Sequence, residues 1–219
     1  MLENLRDYPR NFTDLWLKDY SDGIISGANV LVQENHLTIT RGMVKQAGKI
    51  YILESQYQLP YHNSGKESLL KIRFMEETSN SDFISSGTEV FIDEDTQVKQ
   101  DELELGRFKL TEGARLRSEY QGFADLSTEY NTFIIINVEY SGFQKSTISP
   151  IILRYFAEEI LKSGSADLYD ISFAMQCMNQ GTVDRELLLY YLANRLKIGY
   201  KEYSNLQIHK HLARIVDEV

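Results

Sequence analysis

Acidic side chains form the densest chemical cluster in this sequence. Asp93, Glu94, Asp95, Asp101, Glu102 and Glu104 fall within twelve residues, with Lys99 among them. Oxygen-rich clusters of this kind are what Ca²⁺ requires, but this stretch lacks the glycine and the ligand spacing of an EF-hand loop. It reads as a solvated acidic connection. Two carboxylates brought together by folding would make a glycosidase site, since such pairs assemble in space rather than in sequence. Gly65-Lys66 invites a phosphate-loop reading. That loop needs a glycine five residues upstream of Gly-Lys and Ser or Thr after the lysine. Here Pro60 and Glu67 stand in those places.

Nucleophiles and ligands fare no better. Two residues separate Gly23 from Ser26, whereas a nucleophile elbow has one, so Ser26 reads as a turn residue. The single cysteine, Cys177, lies between Met175 and Met178 on an expected helix, which suits a buried structural thiol. The four histidines are His36, His62, His209 and His211. His209 and His211 are two apart on an expected helix, so their side chains diverge, and no Cys or other His joins them into a zinc site. No catalytic, cofactor-binding or metal-binding residue is assigned, and the chain is expected to act without a cofactor.

The totals narrow the class. A net charge of −9 and a pI near 5.0 argue against a nucleic-acid partner, which calls for a basic face, and against anionic membrane surfaces. The apolar run Phe133 to Ile136 is far short of the ~18 residues a membrane span needs. The first residues lack the basic and apolar regions of a signal peptide, so the chain is expected to be made in a cytoplasm. Its 219 residues, 25 of them aromatic, can bury a substantial core without disulfides.

The elements that would position any site fall into two kinds. Pro9 marks a turn over Asp7 to Asn11, and Asn11 or Thr13 can cap a short helix holding Leu15, Trp16 and Leu17. From Ala28 the period is two. Val30 and Val32 lead through a turn at Glu34-Asn35 to Leu37 and Ile39. Met43 to Gln46 turns at Ala47-Gly48 into Lys49 to Leu53. Pro60 ends a further extended piece. Leu70, Ile72 and Phe74 alternate with Lys71 and Arg73 as a half-buried strand. Thr88 to Ile92 and Phe108 to Leu110 are weaker strands, and Phe133 to Val138 reads as the central one. Thr78 to Ser86 and Asp93 to Glu104 read as loops.

After Gly142 the period becomes helical. Ser149 caps a helix with Pro150 in its first position, and Gly164 stops it. Leu168, Ile171, Met175 and Met178 make a second stripe, ended by Gly181. Thr182 caps a third helix with Leu189, Leu192, Ala193 and Leu196 on one face, ended by Gly199. Ser204 and Gln207 fit a capping box before Ile208, Leu212, Ile215 and Val216. The expected fold is α+β: an arm over 1–25, an antiparallel β-rich domain over 26–145 of sandwich or barrel-like form, and a four-helix domain over 149–219.

Asp22-Gly23-Ile24-Ile25-Ser26-Gly27-Ala28-Asn29-Val30, Leu37-Thr38-Ile39, Gly42-Met43-Val44 and Gly48-Lys49-Ile50-Tyr51 together resemble the N-terminal module of baseplate and tail-fibre-associated proteins of phages, prophages and phage-tail-like particles. The resemblance covers about residues 10–55. It implies a non-enzymatic structural subunit, present as a homo-oligomer among other tail or baseplate subunits and carried from host cytoplasm into the particle. The helical end departs from the long repetitive shaft of a fibre, which favours a baseplate or adaptor subunit. The residues expected at interfaces are Trp16, Leu17, Tyr190, Tyr191, Tyr200 and Tyr203, because amphipathic aromatics mark such surfaces. Two other readings remain: a carbohydrate- or host-protein-binding module, and a hydrolase with a spatially assembled carboxylate site.

Overall fold

The computed structural model describes residues 12–75, 78–80, 83–85, 87–164 and 167–219. The turn expected at Asp7 to Asn11 lies outside them. The chain is α+β, as its periods predict: antiparallel strands come first and four helices follow. A short helix, α1, covers 12–16. The first strands are β1 (Gly23–Gly27), β2 (Val30–Val32), β3 (His36–Ile39), β4 (Gly42–Gln46), β5 (Lys49–Leu53) and β6 (Tyr57–Pro60). They build two three-stranded antiparallel sheets, β1-β4-β5 and β2-β3-β6. The β4–β5 hairpin turns on Ala47 (φ 49) and Gly48 (φ 76), both left-handed as a two-residue turn of this hand requires. The Asp22 carboxylate accepts from both turn amides.

Two glycines explain the glycine-punctuated pattern. Gly27 and Gly42 face each other across β1 and β4. A Cβ on Gly27 would fall 2.1 Å from the Arg41 carbonyl oxygen, and one on Gly42 2.2 Å from the Ala28 nitrogen. Both obstacles are backbone, so the strands approach this closely only without side chains there.

The third sheet is β10 (Thr88–Asp93), β7 (Glu67–Phe74) and β11 (Glu102–Lys109), with β7 central. A separate hairpin, β8 (Thr78–Asn80) with β9 (Phe83–Ser85), replaces much of the loop expected over Thr78 to Ser86. β7 is not half-buried: Lys71 is fully buried between its neighbours. The acidic stretch is also not one solvated loop. Asp93 ends β10, and Glu102 and Glu104 begin β11, both buried. Alternation disguised this, because an ion-paired lysine in a central strand reads in sequence like a solvent-facing one.

Phe133, Ile136 and Val138 are buried, but the run Phe133 to Val138 is not a strand. It changes partners at nearly every residue. Phe133 N–H donates to the Arg117 carbonyl, Ile134 pairs with Arg107, and a turn follows. It is apolar because it runs between two cores. Phe133 and Val138 belong to the β-core, Ile136 to the helical core, and Ile135 packs against both.

The helices are α2 (Pro150–Ser163), α3 (Leu168–Asn179), α4 (Arg185–Leu196) and α5 (Asn205–Asp217). Ser149 caps α2 with Pro150 at its start, and Gly164 takes the left-handed conformation at its end. Ser204 and Gln207 form the capping box of α5. Two expected ends move. Asp184, not Thr182, caps α4 by accepting from the Glu186 and Leu187 amides, and Lys197 (φ 55) closes that helix before Gly199 is reached. The stripe expected on α3 also lies on the wrong side. Phe173, Ala174 and Cys177 enter the core, whereas Leu168, Met175 and Met178 face outward. The buried Asp170 carboxylate, held by Arg195 and the Tyr191 hydroxyl, fixes that rotation. No helix among the described residues is long and apolar enough to cross a membrane.

Candidate functional site

Exposed apolar side chains gather at the root of the chain. On α1, Phe12 and Trp16 are one turn apart with ring centroids 6.2 Å from each other. Trp16 is 69% exposed and Leu15 73%. Leu17, next in sequence, turns inward and is buried. A helix this short is unstable by itself, so tertiary contacts must hold it. Lys45 on β4 supplies them. Its buried ammonium donates to the carbonyls of Leu17 (2.6 Å), Tyr20 (2.7 Å) and Lys18 (3.2 Å). These are carbonyls at and just beyond the helix end, where acceptors lack partners and a cation is favoured. Farther along, the Ser141 hydroxyl donates to the Ser21 carbonyl, and the Tyr20 ring packs edge-on against Phe143. The exposed face of α1 therefore stands on a fixed base.

A second aromatic surface lies on the helical part. Tyr190 on α4 and Tyr200 stack at 4.7 Å, and both are about half exposed. Tyr191 and Tyr203 are core residues. The Tyr191 ring stacks on Phe173 at 3.9 Å and its hydroxyl donates to Asp170, and burial drives that phenol far above its usual range. Of the six residues expected at interfaces, Trp16, Tyr190 and Tyr200 reach the surface, and Leu17, Tyr191 and Tyr203 are buried.

The acidic groups are brought together with cations. Lys71 Nζ lies 3.0 Å from Asp93 and 3.3 Å from Glu102, and Arg73 reaches the same Glu102 at 2.9 Å. Arg107 grips Glu104 with two nitrogens at 2.8 and 2.7 Å. Burial works to raise Glu102, but Arg73, the Lys99 amide and Lys71 outweigh it and hold the carboxyl below its ordinary range. The Asp95 amide and Lys71 do the same for Asp93. Such groups stay ionised at neutral pH, the opposite of the raised carboxyl a general acid needs. Beside them a cavity of about 340 Å³ is lined by Asp22, Gln46, Lys99, Glu102, Glu104 and Glu139. No cluster of three or more metal-ligating side chains occurs among the described residues.

Cys177 is buried, and its surroundings push the thiol up to about 12. His209 and His211 diverge as their spacing predicts: His209 stacks on Phe123 and His211 meets Tyr203 edge-on. Lys45 and the Asp170–Arg195 pair escaped sequence reasoning. Asp170 had a signal, being the one charged residue of α3. The chain matches no family model, no curated protein and no solved structure.

Proposed function

We propose that this protein is a non-enzymatic assembly subunit of a phage tail or tail-like particle, in a baseplate or adaptor position, that grips neighbouring subunits through the exposed face of α1. One observation carries the reading. Phe12, Leu15 and Trp16 are held out in water on a helix fixed by three hydrogen bonds from a buried lysine. Exposing large apolar side chains is unfavourable, and a rigid exposed patch is the arrangement that loses least entropy on binding. In a symmetric ring each modest patch is multiplied by copy number. The resemblance over residues 10–55 supports the same assignment, since the patch sits at the head of that module.

Trp16 is the chain's single tryptophan, so it reports on its own burial. In particles produced from the native locus, Trp16→Ala is expected to leave the isolated protein's unfolding midpoint unchanged and to abolish its incorporation. Normal incorporation of a folded Trp16→Ala protein would rule the arm out as the gripping element.

A further inference from the structure

Three stretches of the β-part meet around a cavity of about 530 Å³. Asn63 and Ser64 come from the turn between β6 and β7. Lys109 ends β11, with Thr111 and Glu112 just after it, and Tyr130 comes from the irregular segment that follows. The volume falls within the ~300–1,000 Å³ of ordinary ligand pockets. The cavity shares no residue with the α1 face, so what it binds is a separate question from the tail assignment.

The walls are set before anything enters. The Asn63 carboxamide oxygen accepts from the Gly65 amide at 2.8 Å, and the Ser64 hydroxyl from the Lys66 amide at 3.3 Å. The Asn131 carboxamide oxygen accepts from both the amide and the hydroxyl of Thr111, each at 2.9 Å. The Asn131 amide donates in turn to the Lys109 carbonyl. Lys109 Nζ donates to the Tyr130 hydroxyl at 3.0 Å and to Glu129 at 3.1 Å, and lies 4.6 Å from the centroid of the Tyr130 ring. Tyr130 is thus tied at its hydroxyl and through the neighbouring residue, yet it is 43% exposed. An aromatic ring held this way loses little freedom when a ligand packs on it.

The lining selects the ligand. Its apolar part is one phenol ring, because Leu110 is turned into the core. That is too little apolar surface for a lipid or a greasy small molecule, whose pockets are mostly hydrophobic. The polar part mixes donors and acceptors: the Asn63 NH₂ group, the Tyr130 hydroxyl proton, the Thr111 oxygen and the Glu112 carboxylate. Lys109 in the wall repels a cation, and Glu112 with nearby Glu129 repels an anion. A pyranose meets all these conditions. It has a C–H face to lay on an aromatic ring, hydroxyls that both donate and accept, and no charge. We propose that this cavity binds a neutral sugar, its ring laid on Tyr130 and its hydroxyls bonded to Asn63 and Glu112.

The walls at Asn63, Ser64, Thr111 and Glu112 are exposed, so a single sugar unit is held weakly, with a dissociation constant on the order of 1 mM. Amide chemical shifts of the full chain test this, with maltose, lactose, cellobiose and N,N′-diacetylchitobiose added separately to about 20 mM. At least one of these sugars should move the amides of Asn63 to Lys66, Thr111, Glu112 and Tyr130 and leave the rest of the spectrum in place. Tyr130→Phe keeps the ring and gives up only the hydroxyl, so it should bind within about threefold of the wild type. Tyr130→Ala should bind at least about tenfold more weakly. Asn63→Asp keeps the oxygen that holds the turn but loses the amide donor, and should weaken binding about threefold or more. The amides outside the cavity report whether each variant is still folded. Silence with all four sugars, shifts centred away from the cavity, wild-type binding by Tyr130→Ala or Asn63→Asp, or a Tyr130→Phe chain that binds as poorly as Tyr130→Ala would each overturn the proposal.

Discussion

Lowering the pH from about 6.5 to about 4 should destabilise this protein by about 3 kcal/mol through one side chain, His209. The ring is 3% exposed, stacked on Phe123 with centroids 4.7 Å apart, and its Nε2 finds no hydrogen-bond partner. Burial alone pushes the imidazole down to about 4, against about 6.5 in the unfolded chain. Between those values the unfolded chain binds a proton that the folded chain refuses. Stability therefore rises with pH across this window, is lost as pH falls through it, and changes no further from this group below it. His211 is lowered in the same direction by partial burial and by Arg214 and Lys201, so it adds a smaller slope of the same sign. Urea unfolding from pH 7 to 4.5 separates them. His209→Phe, which keeps a flat ring against Phe123, should remove most of the slope, and His211→Gln should remove little. By thermal melting, about 3 kcal/mol corresponds to roughly 6–12 °C for a chain of this size. A His209→Phe profile as steep as the wild type's would refute a buried neutral imidazole.

Two further substitutions probe the β-part. Lys71→Met leaves Glu102 buried with Arg73 and the more distant, exposed Lys99 as its remaining cations. It should lower stability by about 3 kcal/mol, near the low end for breaking a buried pair. Pairing it with Glu102→Leu in a denaturation cycle should recover about 1–3 kcal/mol of coupling, and strict additivity would count against the network. Gly42→Ala places a methyl 2.2 Å from the Ala28 nitrogen and should destabilise by about 2–3 kcal/mol or more. Gly48→Ala, with open space around it and a φ of +76°, should lose only about 1 kcal/mol, and equal melting shifts would contradict the backbone-clash account.

Hairpins and caps were legible because they depend on neighbours in sequence. Ala47-Gly48, Ser149-Pro150 and Ser204–Gln207 each specify a local geometry, and each appears where the residues put it. What stayed hidden depends on partners far along the chain. Lys71 and Glu102 are 31 positions apart, and each alone reads as solvated; only the fold shows that they neutralise one another. The rotation of α3 was misread for a related reason. Its outer stripe is the better helical repeat, and the buried Asp170, whose partner Arg195 lies on α4, decided which face goes in. Of the aromatic surface, composition could nominate tyrosines but not orient them. Tyr190 and Tyr191 are adjacent, and the roughly 100° step between neighbouring helical residues sends the first to solvent and the second to the core.

The irregular segment before α2 makes the two halves interdependent. Phe123, Leu126, Ile136 and Ile148 all precede the helices, yet they fill the helical core. Across the junction the Asn205 amide donates to the Val138 carbonyl, and the Thr147 hydroxyl to Val183. Arg185, at the head of α4, donates to the Ser146 and Tyr203 carbonyls. A β-part cut off before Ser149 would expose those four apolar side chains and strand these polar groups. The apolar run at Phe133 to Val138 is thus explained by its position rather than by strand pairing: each of its faces meets a different core.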